Sequence, residues 1–293
     1  MNVVPFSDFA NDRQIQAHQL GLPRVILEGG DDVRLFTEWF GHLNEELEFV
    51  EAKQVGPGGG CTGVGPAVRI SREEDGIPAV GIVDRDAIHR THRWATMFET
   101  DDAVFAREAR TESIYTTTLW EVEAYLIRPE LLSEWVSAQA RRLPSATDVR
   151  NEAVSRTIEE CEALLSATPF YGAAHALGTV RVPPAHFHST PHSDLASACA
   201  NHDASQDPDH QQIAAEIEAL IASIRASAPA SGPERLLFLL RYVDTKRLLA
   251  RLGHRLELRE NAHWGLQSLM SGRGLRPEEL EIFLIDTAER FAA

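Results

Sequence analysis

Short apolar runs alternate with helical patterns over the first 128 residues. Runs of strand length are separated by stretches in which apolar residues recur every three or four positions, as on one face of a helix. Strand followed by helix, repeated within about a hundred residues, is typical of a parallel sheet. The pattern predicts an α/β fold with a parallel sheet flanked by helices. The predicted strands cover residues 24–28, 47–55, 77–84 and the start of 113–127, and the predicted helices cover 33–43 and 66–74.

The pattern changes after Arg128, where helical spacing dominates and several segments open with proline followed by glutamate, a helix-start signal. We therefore predict two domains, residues 1–128 with the sheet and 129–293 mostly helical. Between residues 168 and 210 lie five prolines and half of the twelve histidines, and residues 168–209 are predicted to be a loop-rich insert.

The composition is that of an acidic globular protein. The formal net charge is -16, whereas a non-specific nucleic-acid binder normally carries the opposite sign. The excess of carboxylates is explained by a plain acidic surface, by a basic partner, or by a site that binds a metal cation. No apolar run reaches membrane-spanning length, no secretory signal is visible, and the three cysteines suggest no disulfide framework. We expect no membrane association and a cytoplasmic, reduced protein.

Three acidic residues follow predicted strands. Glu28 ends the first, and Asp84 and Asp86 end the third. Ligands of open parallel sheets bind beyond the carboxyl ends of the strands, and clustered carboxylates suit Mg²⁺ or Mn²⁺. Solvent-facing turn residues are the competing interpretation. The joint occurrence of both acidic motifs at strand ends favours a metal site.

The stretches "VILEGGDD" and "GIVDRD" resemble the two signature motifs of the TOPRIM domain, which binds Mg²⁺ for phosphodiester chemistry. The resemblance covers about the first 130 residues. It implies that Glu28, Asp84 and Asp86 are metal ligands, with Asp32 as an additional acidic member. Arg85, between the aspartates, is expected to be a solvated neighbour.

Two further stretches narrow the resemblance. "LWEVEAYLI" and, more weakly, "DTKRLLARL" are similar to segments of a TOPRIM-like bacterial family related to the OLD (overcoming lysogenization defect) nucleases. Members of that family often pair with an ABC-type ATPase in anti-phage systems, in which the TOPRIM subunit is the nuclease. The similarity implies catalytic roles for Glu123 and for Lys246, the latter as a transition-state cation. One departure is Gly30, where related small TOPRIM nucleases often carry lysine.

These features predict a metal-dependent nuclease that cleaves DNA, transfer RNA or another RNA and acts in anti-phage defence with an ATPase partner. The alternatives are a stand-alone TOPRIM enzyme of RNA processing or DNA repair, and a non-catalytic binding or regulatory module. A hydrolase is favoured over a covalent topoisomerase because the four tyrosines are interpreted as structural. They are Tyr115, Tyr125, Tyr171 and Tyr242.

Two other motifs leave alternatives open. The loop "GPGGGCTGVG" contains the Gly-x-Gly-x-x-Gly spacing of dinucleotide sites, but it follows the second strand, so a tight turn is favoured. A phosphate-contacting loop beside the metal site is a milder functional alternative. The histidines of the 168–209 segment, with Cys199, match no standard zinc spacing, and surface positions or RNA contacts are alternatives.

Overall fold

The computed structural model describes residues 20–141, 152–178, 188–202, 208–259 and 262–292. Contacts within the chain divide it into two compact units. The first holds the residues up to Ala87, Ala109–Thr117 and the residues from Ser271 onward. The second holds Ile88–Glu108 and Thr118–Met270. The segments of the two units therefore alternate along the chain, whereas the sequence predicted a single boundary near Arg128.

The first unit is built on a four-stranded sheet in which all the pairings are parallel. The spatial order is β2-β1-β3-β4, so the two central strands are those that precede Glu28 and Asp84. In the register, Arg24 lies opposite Ala79 and Ile26 opposite Gly81. The predicted parallel α/β class is therefore confirmed. The strands are β1 (Arg24–Leu27), β2 (Glu48–Glu51), β3 (Ala79–Val83) and β4 (Ile114–Thr116).

Helices cover both faces of this sheet. On one face, Ile26 and Val83 share an apolar cluster with Val64 and Val68 of α3. On the other face, reached by the alternate side chains of each strand, α1 packs through Phe36 against Phe49 of β2, and α13 packs through Phe283 against Tyr115 of β4. The helices of this unit are α1 (Gly30–Trp39), α2 (Ala52–Val55), α3 (Cys61–Glu73) and α13 (Glu278–Ala292).

The second unit is helical, as the spacing beyond Arg128 predicted. Its longest helix, α7, packs against α8, α9 and α10, and its buried residues include Leu164 and Leu165. Short 3₁₀ segments at Val122–Leu126 and His192–Asp194 connect some of these helices. The helices are α4 (Trp94–Met97), α5 (Asp102–Ala109), α6 (Pro129–Gln139), α7 (Ala153–Ala176), α8 (Leu195–His202), α9 (Pro208–Ser227), α10 (Gly232–Leu239), α11 (Thr245–Arg255) and α12 (His263–Gly272).

Two local predictions are corrected in the first unit. The second strand ends at Glu51, because the following four residues form α2 and bury Ala52 against α3. The predicted helix at 66–74 begins earlier, at Cys61, so the second half of the glycine-rich stretch is helical. Packing of Val64 on the sheet stabilises this first turn despite the low helix propensity of its glycines.

The prediction of loop between residues 168 and 209 is corrected at residues 168–176 and 195–202, which are helical, whereas residues 177–178 form a turn and residues 188–190 a bend. Helix α7 continues through Pro169 to Ala176, and α8 occupies Leu195–His202. An interior proline costs a helix about 3 kcal/mol, and the burial of α7 against its neighbouring helices offsets this cost. Residues 179–187 and 203–207 of the predicted insert lie outside the described residues. Within the described ranges, no helix combines the length and the apolar character needed to cross a bilayer.

Candidate functional site

Glu28 and Asp84 meet at the carboxyl edge of the sheet. Each follows directly after one of the two central strands, β1 and β3. Glu28 Oε1 accepts a hydrogen bond of 2.9 Å from the backbone N–H of Asp84. Asp84 is buried, whereas Glu28 and Asp86 are half-buried. The parallel pairing of β1 with β3 thus brings the Glu28 carboxylate to the backbone of Asp84, 56 positions away in the sequence.

Arg85 is buried, and the expectation that it is solvated is wrong. Its side chain is 0% exposed and is among the largest fully buried side chains of the described residues. Its backbone N–H donates to Thr117 Oγ1 at 3.1 Å, while the N–H of Thr117 donates to Val83 O at 3.0 Å. These two bonds join the turn after β3 to the end of β4. The segment that carries Asp84 and Asp86 is therefore held on both sides, by Glu28 and by Thr117.

Asp32 caps helix α1. Its Oδ2 accepts from the backbone N–H of Gly29 at 3.0 Å, at the position three residues beyond the N-cap. This bond satisfies an N–H at the helix start. One carboxylate oxygen of Asp32, a predicted metal ligand, therefore has a structural role. Gly30 lies close to Glu51, since a Cβ added at Gly30 would come within 3.6 Å of Glu51 Oε2. A lysine at that position would meet a carboxylate directly.

Glu51 is an acidic residue at this edge that the sequence argument did not include. It is the last residue of β2, in register with Leu27 of β1, and its carboxylate lies 2.8 Å from Lys53 Nζ. The sequence signal for Glu51 was the same as for Glu28, because both stand at the carboxyl end of a parallel strand. It was missed because the second strand was predicted to continue to residue 55.

The glycine-rich loop contacts the same edge. The backbone N–H of Gly60 donates to Glu28 O at 3.1 Å. Gly58 and Gly60 have φ values of 98° and 64°, which favour glycine. A Cβ on Gly63 would lie 2.7 Å from Gly58 O. The glycines are therefore explained by a tight turn into α3, as favoured from the sequence.

Glu123 and Lys246 also lie together, within the second unit. Lys246 Nζ is 3.5 Å from Glu123 Oε1 and 3.1 Å from Glu121 Oε1. Glu121 is buried, and its other oxygen accepts the backbone N–H of Lys246 at the start of α11. The Lys246 side chain is 63% exposed. Glu121 is the closer partner and was missed, although it stands two positions before Glu123 in the same acidic stretch.

A divalent cation fits the carboxylates of the first unit chemically. In the parts of the chain that the structure describes, no three His, Cys, Asp or Glu side chains converge as a group that could hold a metal ion. The donors at the edge are carboxylate oxygens, the ligands Mg²⁺ prefers, and Mg²⁺ commonly takes only one or two of them and keeps several waters. Glu28 and Asp84, which the hydrogen bond between them brings together, are the residues that would hold it, and Asp86, two positions further on, is the third predicted ligand.

The four tyrosines interpreted as structural are all buried. Of the histidines considered for zinc, His210 is buried on α9, and His175 is exposed near the end of α7. His186 lies outside the described residues. Cys199 is buried on α8.

Comparison with known proteins gives no relative. No protein-family model matches the chain, and neither a curated protein nor a solved structure matches it significantly.

Proposed function

We propose that this chain is a Mg²⁺- or Mn²⁺-dependent nuclease that hydrolyses phosphodiester bonds at the carboxyl edge of its sheet. The observation that supports this most directly is the 2.9 Å hydrogen bond from the Asp84 N–H to Glu28 Oε1. Through it, acidic residues from two adjacent strand ends converge, and Asp86 follows two positions later. The resemblance of both motifs to the TOPRIM signatures points to the same chemistry.

The electrostatics of the edge favour a bound cation. Asp84 is only 7% exposed, and Glu28 and Asp86 add negative charge close by in the fold. Like charges in a partly desolvated site repel, and a cation between them relieves the repulsion. When bound, Mg²⁺ would polarise the scissile phosphate and lower the pKa of a coordinated water.

The chain's own residues would position and move protons in this proposal. The Asp84 N–H orients the Glu28 carboxylate, which would serve as a ligand or as the general base that receives a proton from the attacking water. The bond between Arg85 and Thr117 keeps the two aspartates at the end of β3.

The first experiment is a cleavage assay on plasmid DNA and total transfer RNA with Mg²⁺ or Mn²⁺ against EDTA. Glu28→Gln and Asp86→Asn are the test variants. Glutamine retains an oxygen that can accept the Asp84 N–H, so folding should persist. Glu130→Gln and Asp286→Asn are matched controls, because both carboxylates are exposed on helices. We expect metal-dependent cleavage that the controls retain and that Glu28→Gln lowers at least about 100-fold.

The proposed biological role is that of an effector in anti-phage defence with an ABC-type ATPase partner, which rests on the resemblance of "LWEVEAYLI" and, more weakly, of "DTKRLLARL". The cleavage assay is therefore repeated with the ATPase encoded beside this gene, where there is one. Cleavage only in the presence of that ATPase would support the role. Equal cleavage with and without it would favour a stand-alone enzyme, and no cleavage in either case would favour a non-catalytic module.

A further inference from the structure

The second unit contains a cavity large enough for a small organic ligand. Its volume is about 1020 Å³, at the upper end of the range for small-molecule sites. It is bounded by α6 and α11 and by the backbone around Leu258, where Ala140 and Leu258 form an isolated antiparallel bridge. All of its lining residues belong to this one unit.

Cationic side chains outnumber carboxylates among the described residues of the lining. Arg141, Lys246 and Arg259 are cationic, and Glu123 and Glu257 are anionic, in a protein whose overall charge is -16. The guanidinium of Arg141 is held in place, because its Nε donates to Leu258 O at 2.7 Å. A fixed guanidinium can bind a phosphate through its remaining N–H groups.

Three histidines add further hydrogen-bonding groups to the lining: His188, His254 and His263. The pKa of His188 is lowered, first by burial and then by the neighbouring charges of His254 and Arg251. A neutral imidazole offers one donor and one acceptor. The cavity therefore combines permanent cations with imidazole rings that can form hydrogen bonds, whereas a site for a bare inorganic ion would need only the cations.

Two buried polar atoms in the lining lack partners. Glu123 Oε2 and His188 Nε2 have no hydrogen-bond partner in the described parts of the chain. Leaving a buried polar atom unpaired costs about 1–3 kcal/mol. A ligand that brings hydrogen-bonding groups to both atoms would remove this cost. A carboxylate oxygen can only accept, so the group facing Glu123 must be a donor such as an amine or a hydroxyl.

The remaining lining is apolar. Trp135 is only 1% exposed and donates its Nε1–H to Ala262 O at 2.7 Å, so it supports the wall from behind and offers a ligand almost no surface. The half-buried Leu249 and Ala250 of α11 also line the cavity. An apolar wall beside cationic groups suits a ligand with an apolar face at one end and a phosphate at the other.

We infer that this cavity binds a nucleoside monophosphate unit. Arg141, Arg259 and Lys246 take the phosphate, Glu123 accepts from a sugar hydroxyl or a base amine, and Leu249 with Ala250 contacts the base. The unit is either a free nucleotide or the phosphorylated end of a nucleic-acid strand, since both present the same groups. The inference uses only residues of the second unit and does not depend on the proposed metal chemistry.

The test is isothermal titration calorimetry of the full chain in EDTA, so that neither metal binding nor cleavage contributes. The titrants are AMP, GMP, CMP, UMP, inorganic phosphate and a 5′-phosphorylated oligothymidylate with its unphosphorylated counterpart. The variants are Arg259→Ala and Lys246→Ala, whose side chains are exposed. Arg156→Ala is the control, because this arginine has a side chain that is 43% exposed and does not line the cavity. We expect saturable nucleotide binding that each of the two lining variants weakens about tenfold, equal to about 1.4 kcal/mol, and that the control retains.

Each result has a distinct meaning. Binding of mononucleotides that the lining variants weaken supports the inference with a free ligand. Binding only of the phosphorylated oligonucleotide, with the same sensitivity to the variants, supports it with a strand end. Inorganic phosphate that binds as tightly as the nucleotides would overturn it, because the wall and Glu123 would then add nothing. No binding at millimolar nucleotide, or binding unchanged in both lining variants, would also overturn it.

Discussion

His89 should make the stability of this protein fall in mild acid. Its side chain is 6% exposed, and its ring stands edge-on to those of Trp94 and His175, each with a centroid distance of 4.7 Å. Its Nδ1 is buried with no hydrogen-bond partner among the described residues. Burial lowers the pKa of His89 to about 3, and the charges of His175 and His92 act in the same direction.

The size of the effect follows from the two pKa values. In the unfolded chain the ordinary value is 6.5, so the folded state disfavours the protonated form. The stabilisation is complete above pH 6.5 and is lost as the pH falls towards 3. At pH 5 His89 is still neutral in the folded state. In the unfolded chain it is protonated, because pH 5 lies about 1.5 units below its ordinary pKa of 6.5. At about 1.36 kcal/mol per unit, the free energy of unfolding drops by about 2 kcal/mol between pH 8 and pH 5.

Urea unfolding of the wild type and of His89→Leu at pH 8, 7, 6 and 5 measures this contribution. At pH 8 the variant should be close to the wild type, since leucine buries no unpaired nitrogen. Between pH 8 and 5 it should lose about 2 kcal/mol less than the wild type does. His89→Phe, a second residue that does not titrate, should show the same reduced pH dependence. Parallel curves for the wild type and both variants would refute the assignment.

Two further predictions concern packing and buried charge. Gly81→Ala would place a Cβ 2.3 Å from Val64 Cγ1 and should destabilise the protein by about 1–3 kcal/mol in thermal or urea unfolding. Gly65→Ala, with open space around the added Cβ, should instead stabilise α3 by up to about 1 kcal/mol, and equal effects of the two changes would contradict the packing argument. Arg251→Met leaves the buried Glu160, whose carboxylate accepts from Arg251 Nε at 2.7 Å, without its main partner and should cost about 3 kcal/mol or more. Replacing Glu160 with leucine in the same chain should recover most of that loss, and a double variant as unstable as the single one would speak against charge burial as the cause.

The central strands of the first unit could be predicted from the sequence. Buried strands of a parallel sheet need apolar residues on both faces, and this requirement made β1 and β3 visible as apolar runs. Each run ends with an acidic residue, so the position of Glu28 and Asp84 at strand ends could be read directly. Their proximity then required only that β1 and β3 be neighbours, which the pairing of Ile26 with Gly81 confirms.

Other features could not be read because they depend on what packs against each segment. The first turn of α3 contains Gly63 and Gly65, and Pro169 lies within α7, so local propensity argued against helix at both places. Packing on the sheet and on neighbouring helices outweighs those preferences. The same reason explains Arg85, since a charged residue between two aspartates normally stays in water and only its surroundings in the fold can bury it.

What the sequence determined by itself is thus the set of local periodicities and the placement of acidic residues at strand ends, because both follow from burial along a single segment. The tertiary structure decided the strand order, the cap that engages Asp32, the pairing of Lys246 with Glu121 and the cavity bounded by α6 and α11. Each of these joins groups that are distant in sequence or have competing local uses. The free energies of these interactions depend on interatomic distances that are fixed only in the folded chain.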